Sequence, residues 1–229
     1  MHVPQDQNFI HMPSSLLSQF LFLIAPTLCT LTVVVQIGPV SGILECIASI
    51  PLHYLTDLTL SFSYTRIAVS PDSHLLHTST SANLPRLRYL HINTCHPLST
   101  NIEPAVALVT SQAPYLTTLH VSDVLLMPGC SAVLARMLGR LPLRAQHGWV
   151  VPDDVLDAVA RLPFSVREFL LQVHAGPLTL PGEARLVERM ASMDYGDGFI
   201  LLPPTPKRDY QHWKEEWLAR AVRSWPEEV

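Results

Sequence analysis

The sequence predicts an α/β fold, an irregular solenoid in which a parallel sheet lines the concave face and helices cover the convex face. Three observations predict it. A Pro-led string of the form Leu-x-x-Leu-x-apolar recurs five times, the copies begin roughly 27 to 32 residues apart except for one interval of about 50, and apolar residues at helical spacing precede most copies. A strand followed by a crossover helix and another strand gives parallel pairing. Units stacked at such a pitch bury their apolar faces only against their neighbours.

In chain order, Leu16, Leu17, Phe20 and Leu21 mark a first helix, expected to be buried and to run to Ile24 after the hydroxyls of Ser14 and Ser15. Pro26 ends it, and Leu28 to Val35 reads as a buried strand built on Leu28, Leu31 and Val33. Ser41 opens a second helix with Ile43, Leu44 and Ile47, followed by a strand on Leu55, Leu58 and Leu60. A third strand lies on Leu87, Leu90 and Ile92 behind Pro85. Glu103 and Pro104 start a helix with Val106, Leu108 and Val109, which Pro114 separates from a strand on Leu116, Leu119 and Val121. Val133, Leu134, Met137 and Leu138 give a further helix, and Leu141-Pro142-Leu143 is the trace of a degenerate unit inside the long interval. Pro152, Asp153 and Asp154 cap a helix carrying Val155, Leu156 and Val159, and a copy looser by one residue runs from Pro163 through Val166, Phe169 and Leu171. Asp194 to Gly198 reads as a hairpin turn before a closing strand at Phe199, and Pro203 to Pro206 as a hinge. Trp213, Trp217, Leu218, Ala221, Val222 and Trp225 then lie at helical spacing on an amphipathic capping helix. The organisation is thus an extended or disordered segment at 1–13, a solenoid of about six units at 14–203, and a hinge with its capping helix at 204–229. An ordinary doubly wound sheet is the alternative, but it does not require the strand signature itself to repeat.

Composition narrows the functions. Of 229 residues only 15% are charged against 48% hydrophobic, and 15 Lys plus Arg against 19 Asp plus Glu leave no electrostatic footprint for a nucleic acid. No G-x-G-x-x-G or P-loop string is present to cradle a phosphate, and no G-x-S-x-G elbow to raise a nucleophile. No cofactor is expected. Cys29, Cys46, Cys95 and Cys130 stand apart with no C-x-x-C pair, so four buried, reduced thiols in a cytoplasmic or nuclear protein are expected. The competing reading is a membrane anchor at residues 16–35, since no charged residue lies between Asp6 and Glu45. Pro26, Thr27, Thr30 and Thr32 interrupt that stretch, and no Lys or Arg precedes Arg66 to orient a span, so a membrane is the weaker expectation.

The Leu-x-x-Leu-x-Leu strands resemble leucine-rich repeats. The irregular Pro-led version, together with Gly198-Phe199-Ile200-Leu201-Leu202-Pro203-Pro204 and the later Tyr210, Trp213 and Trp217, is similar to the C-terminal region of F-box proteins of mushroom-forming fungi. The resemblance covers most of the chain, from about Leu16 to Trp225. It implies a surface that holds another protein. The F-box, a helical module opening on a Leu-Pro-x-Glu-type string, is absent, so the resemblance does not extend to recruitment of a ubiquitin-ligase adaptor. The apolar first unit also lacks the polar cap that a solenoid needs. It is therefore where a partner or a further region of a longer gene product is expected.

Strand side chains alternate, so the residues beside the second Leu of each motif face away from the helices and line an open strip. They are Thr30, Thr32 and Val34; Asp57, Thr59 and Ser61; Tyr89, His91 and Asn93; Thr118, His120 and Ser122; and Glu168, Leu170 and Gln172. The candidate binding set on the concave face is Asp57, Thr59, Tyr89, His91, Asn93, Thr118, His120, Ser122, Glu168 and Gln172, opposite a protein partner. Thr and Ser also suit exposed strand positions without any ligand. His91 and His120 occupy equivalent places in consecutive copies, which puts their rings about 5 Å apart if the strands are neighbours. A metal there would need His96 or Asp123 as well, and the sequence offers no H-x-x-x-H helix, so no metal is expected. The leading expectation is a non-enzymatic protein-binding repeat module, a substrate-recognition fragment of the F-box type. A small α/β enzyme of unknown reaction is the alternative, together with the membrane-anchored reading.

Overall fold

The computed structural model describes residues 14–35, 41–62, 82–94, 103–126, 130–139, 161–174 and 198–205, with residues 159, 187, 188, 190, 191 and 215. Among the described residues, four helices, α1 (Ser14–Ile24), α2 (Ser41–Ser49), α3 (Glu103–Ser111) and α4 (Cys130–Met137), alternate in part with six strands. These are β1 (Thr30–Val35), β2 (Asp57–Phe62), β3 (Tyr89–Thr94), β4 (Thr118–Val124), β5 (Glu168–His174) and β6 (Phe199–Thr205). They form one sheet in the order β1-β2-β3-β4-β5-β6, every pair parallel. The order never reverses, so the sheet is not doubly wound and lacks the crevice that opens where such a reversal occurs.

The repeated string sets the register. Leu31, Leu58, Leu90, Leu119, Phe169 and Phe199 pair in one row, and Val33, Leu60, Ile92, Val121, Leu171 and Leu201 in the next. A slip by one residue would turn every one of these side chains to the other face. The rows join Leu21, Leu44, Ile47, Val106, Val109, Val133, Leu134 and Met137 of the helices in a single core. The same backbone turn precedes four strands. Leu55, Leu87, Leu116 and Val166 donate their N–H groups to Leu52, Leu84, Ala113 and Pro163 at 3.0 to 3.2 Å. One carbonyl per unit then accepts two N–H groups from the following unit: Cys29 from Thr56 and Asp57, Thr56 from Arg88 and Tyr89, Arg88 from Thr117 and Thr118, Thr117 from Arg167 and Glu168. The one-residue looseness of the copy at Pro163 is absorbed ahead of the strand, since Glu168 still pairs with Thr118.

The first unit departs from expectation. Among the residues of α1 whose burial is described, Leu21 alone is fully buried, whereas Leu16, Phe20, Phe22 and Leu23 are exposed, and β1 is half-buried except at Val35. Among the described residues β1 has a strand neighbour on one side only. Cys29, in the turn before β1, is likewise exposed, while Cys46 and Cys130 are buried; Cys95 lies outside the described residues. Pro203 and Pro204 belong to β6 rather than to a hinge, as an edge strand tolerates the missing N–H groups. Because β6 runs parallel to β5, no hairpin joins the two. The degenerate unit at Leu141 to Leu143, the cap at Pro152 to Asp154, the turn at Asp194 to Asp197 and, apart from Glu215, the Trp-bearing helix lie outside the described residues. Among the described residues no helix is long and apolar enough to cross a membrane.

Candidate functional site

All ten candidate residues occupy the face opposite the core, in three rows across the strands. The first row is Thr30, Asp57, Tyr89, Thr118 and Glu168. The second is Thr32, Thr59, His91, His120, Leu170 and Ile200. The third joins Val34, Ser61, Asn93 and Ser122, with Gln172 beside Leu202.

Exposure corrects the expected open strip. Thr59, Ser61, His91, His120, Ser122 and Gln172 are buried, His91 completely. Ser61, His91, His120, Ser122 and Gln172 are held by hydrogen bonds to neighbouring strands. The His91 and His120 rings stack at 4.1 Å with 4° between their planes. His91 Nε2 shares a hydrogen bond of 2.8 Å with Ser122 Oγ, which also accepts one of 2.9 Å from Asn93 Nδ2. Ser61 Oγ donates to Asn93 Oδ1 at 3.2 Å, and Tyr89 Oη shares a hydrogen bond of 3.1 Å with His120 Nδ1. Gln172 Nε2 donates to the Pro203 carbonyl at 2.9 Å. A network of this kind fixes the lateral order of neighbouring strands, because each partner sits one strand away.

The first row remains accessible, with Glu168 exposed and Asp57, Tyr89 and Thr118 half-buried. Thr118 Oγ1 donates to Glu168 Oε2 at 3.2 Å, and Thr56 Oγ1 to Asp57 Oδ2 at 2.6 Å, which orients both carboxylates. Beside this row runs a rim that the alternation of strand residues does not reveal. Arg86 lies over the Tyr54 ring at 5.1 Å, and Arg88 over the Tyr115 ring at 5.3 Å while its Nη1 donates to the Tyr115 carbonyl at 2.9 Å. Tyr54, Tyr115 and Phe164 are exposed. The signal was present in the repeat: Tyr54, Arg86 and Tyr115 each stand immediately before the first Leu of the strand motif, so units aligned in parallel bring them into one column.

At the opposite ends of the strands, β4 carries one residue too many. Val121 pairs with Leu171 but Val124 with Val173, and Asp123 takes a left-handed φ of 62°. Strict alternation would aim Asp123 into the core behind Leu119 and Val121. The bulge diverts it to His174, whose Nδ1 lies 2.5 Å from Asp123 Oδ1, and returns Val124 to the core. Asp123 is therefore a partner of His174, not a third ligand beside the stacked histidines, and His96 lies outside the described residues. Among the described residues no three His, Cys, Asp or Glu side chains converge on a point where a metal ion would sit.

No protein-family model, characterised protein or solved structure matches the chain significantly.

Proposed function

We propose that the chain is a non-enzymatic protein-binding module, an irregular leucine-rich-repeat-like solenoid that holds its partner along the leading edge of its strands. The observation that carries the reading is the accessible band of stacked Tyr54 with Arg86 and Arg88 with Tyr115, flanked by Phe164 and backed by Asp57, Tyr89, Thr118 and Glu168. Tyr and Arg dominate the energetics of protein interfaces. A guanidinium already stacked on a tyrosine loses little further freedom on binding, and the N–H groups of Arg86, together with those of Arg88 other than the one given to the Tyr115 carbonyl, can meet carboxylates and carbonyls. The solenoid reading is supported by the unbroken strand order, the single register of the Leu rows and the turn that recurs from unit to unit. Its finer form, a substrate-recognition fragment of the F-box type, rests on the strand motif and on the run from Gly198 to Pro204.

The test is proximity crosslinking from photo-reactive groups placed at Thr117 and Arg167, comparing the chain with a Tyr54→Ala, Arg86→Ala, Tyr115→Ala variant. The expected outcome is loss of the crosslinked partner with an unchanged circular dichroism spectrum. Retention of the same partner by the triple variant would refute the leading edge as the binding surface.

A further inference from the structure

We infer that the chain pairs with a second copy of itself through the outer side of the first unit, β1 against β1 and α1 beside α1, about a two-fold axis perpendicular to the sheet. This stands apart from the leading-edge reading and uses none of its residues.

The helix shows which way its exposed residues point. Ser18 Oγ lies 3.0 Å from Cys46 Sγ, so that side of α1 faces α2. At 100° per residue, Leu16, Phe20 and Leu23 fall on the opposite side of the helix, away from the second unit. They are 51%, 51% and 78% exposed. The strand has the same asymmetry. Leu31 and Val33 are only partly buried, whereas their partners Leu58 and Leu60 on β2 are fully buried, and among the described residues β1 has a strand neighbour on one side alone. An apolar row and the backbone of an edge strand therefore open in one direction.

Edge strands are normally protected by charge, proline or a bulge. β1, Thr-Leu-Thr-Val-Val-Val, has none of these, and its pairing with β2 is regular throughout. The other edge is protected, since β6 carries Pro203 and Pro204 and its register with β5 shifts. That difference selects the mode of association. Head-to-tail stacking of β1 on β6 would build an open filament but meets the prolines, whereas β1 against β1 uses the same unprotected edge twice and closes at two chains. A two-fold axis perpendicular to the sheet keeps both helix layers on one side and sets α1 of one copy beside α1 of the other.

Charge and area fit the same occupant. With no Asp, Glu, Lys or Arg between Asp6 and Glu45, two copies meet without repulsion, and the face offers no charge by which a foreign partner would be selected. A helix of 11 residues and a strand of six span about 20 Å by 20 Å. With side-chain relief this supplies on the order of 600 Å² per partner, the lower end of the range for specific dimers.

Sedimentation velocity of the full chain without detergent, up to about 100 µM, tests the proposal. A species of twice the 25.5 kDa chain mass is expected. Two separate variants should each return it to the monomer, weakening association at least about a hundredfold: Phe20→Glu with Leu23→Glu on α1, and Val34→Lys on β1. Both change partly or fully exposed positions, and an unchanged helical signal in circular dichroism confirms that they fold. A chain that stays monomeric at the highest concentration overturns the proposal and assigns the face to a different molecule. A dimer that survives both variants overturns it by locating the contact elsewhere, and growth beyond two chains overturns the closed pairing.

Discussion

Asp123 shows how one residue can reconcile a charge with an apolar strand. By alternation it belongs to the core row of β4, where an unpaired carboxylate would cost several kcal/mol. The chain instead spends an extra residue, takes a left-handed turn at φ 62° and gives the carboxylate to His174. Asp tolerates this conformation better than most residues because its short side chain bonds locally. Asp123→Ala is expected to destabilise the fold by about 2 kcal/mol, roughly half from the lost hydrogen bond and half from a Cβ-bearing residue held in the left-handed region. Asp123→Gly should recover about the backbone half. Urea denaturation of the three proteins checks this, and equal losses for Ala and Gly would mean that the backbone conformation contributes nothing. The sequence displayed the anomaly, a carboxylate at a core position, without displaying the partner, because His174 lies 51 residues away on the next strand.

At the scale of elements, adjacent strands are tied together in two different ways. Between β5 and β6 the tie is close backbone approach. Phe169 N–H donates to the Gly198 carbonyl at 2.7 Å, and a Cβ on Gly198 would run into the Arg167 carbonyl oxygen. Gly198→Ala is therefore expected to cost about 1–3 kcal/mol and to act locally. Amide hydrogen exchange should show β6 opening faster with β2 and β3 unchanged, and protection of β6 equal to the wild type would contradict this account. Between β3 and β4 the tie is the stacked pair His91 and His120. Solvent does not reach His91, and two protonated rings would place like charges about 4 Å apart.

On the scale of the whole molecule, one core joins the helices to a single sheet, and among the described residues its two edge strands differ, β6 carrying two prolines and β1 none. Under the proposed association through β1, a melting temperature that rises with protein concentration is also expected, since only the folded chain presents the face. The sequence by itself determined the strands, the register and the face on which all ten candidate residues lie, because a Leu-x-x-Leu-x-apolar string in parallel units leaves only one phase that buries every Leu. It also marked the starts of α1, α2 and α3, because Ser14, Ser41 and Glu103 open an apolar pattern of helical period, while α4 was marked only from Val133 onward. What only the tertiary structure decided depends on side chains from different units. The central rows are buried rather than open, the Tyr and Arg residues before each strand stack into a rim, Asp123 leaves the core for His174, and α1 keeps its apolar stripe in solvent. Periodicity within one unit reports which way a side chain points, and only the neighbouring unit, present or missing, decides what it meets.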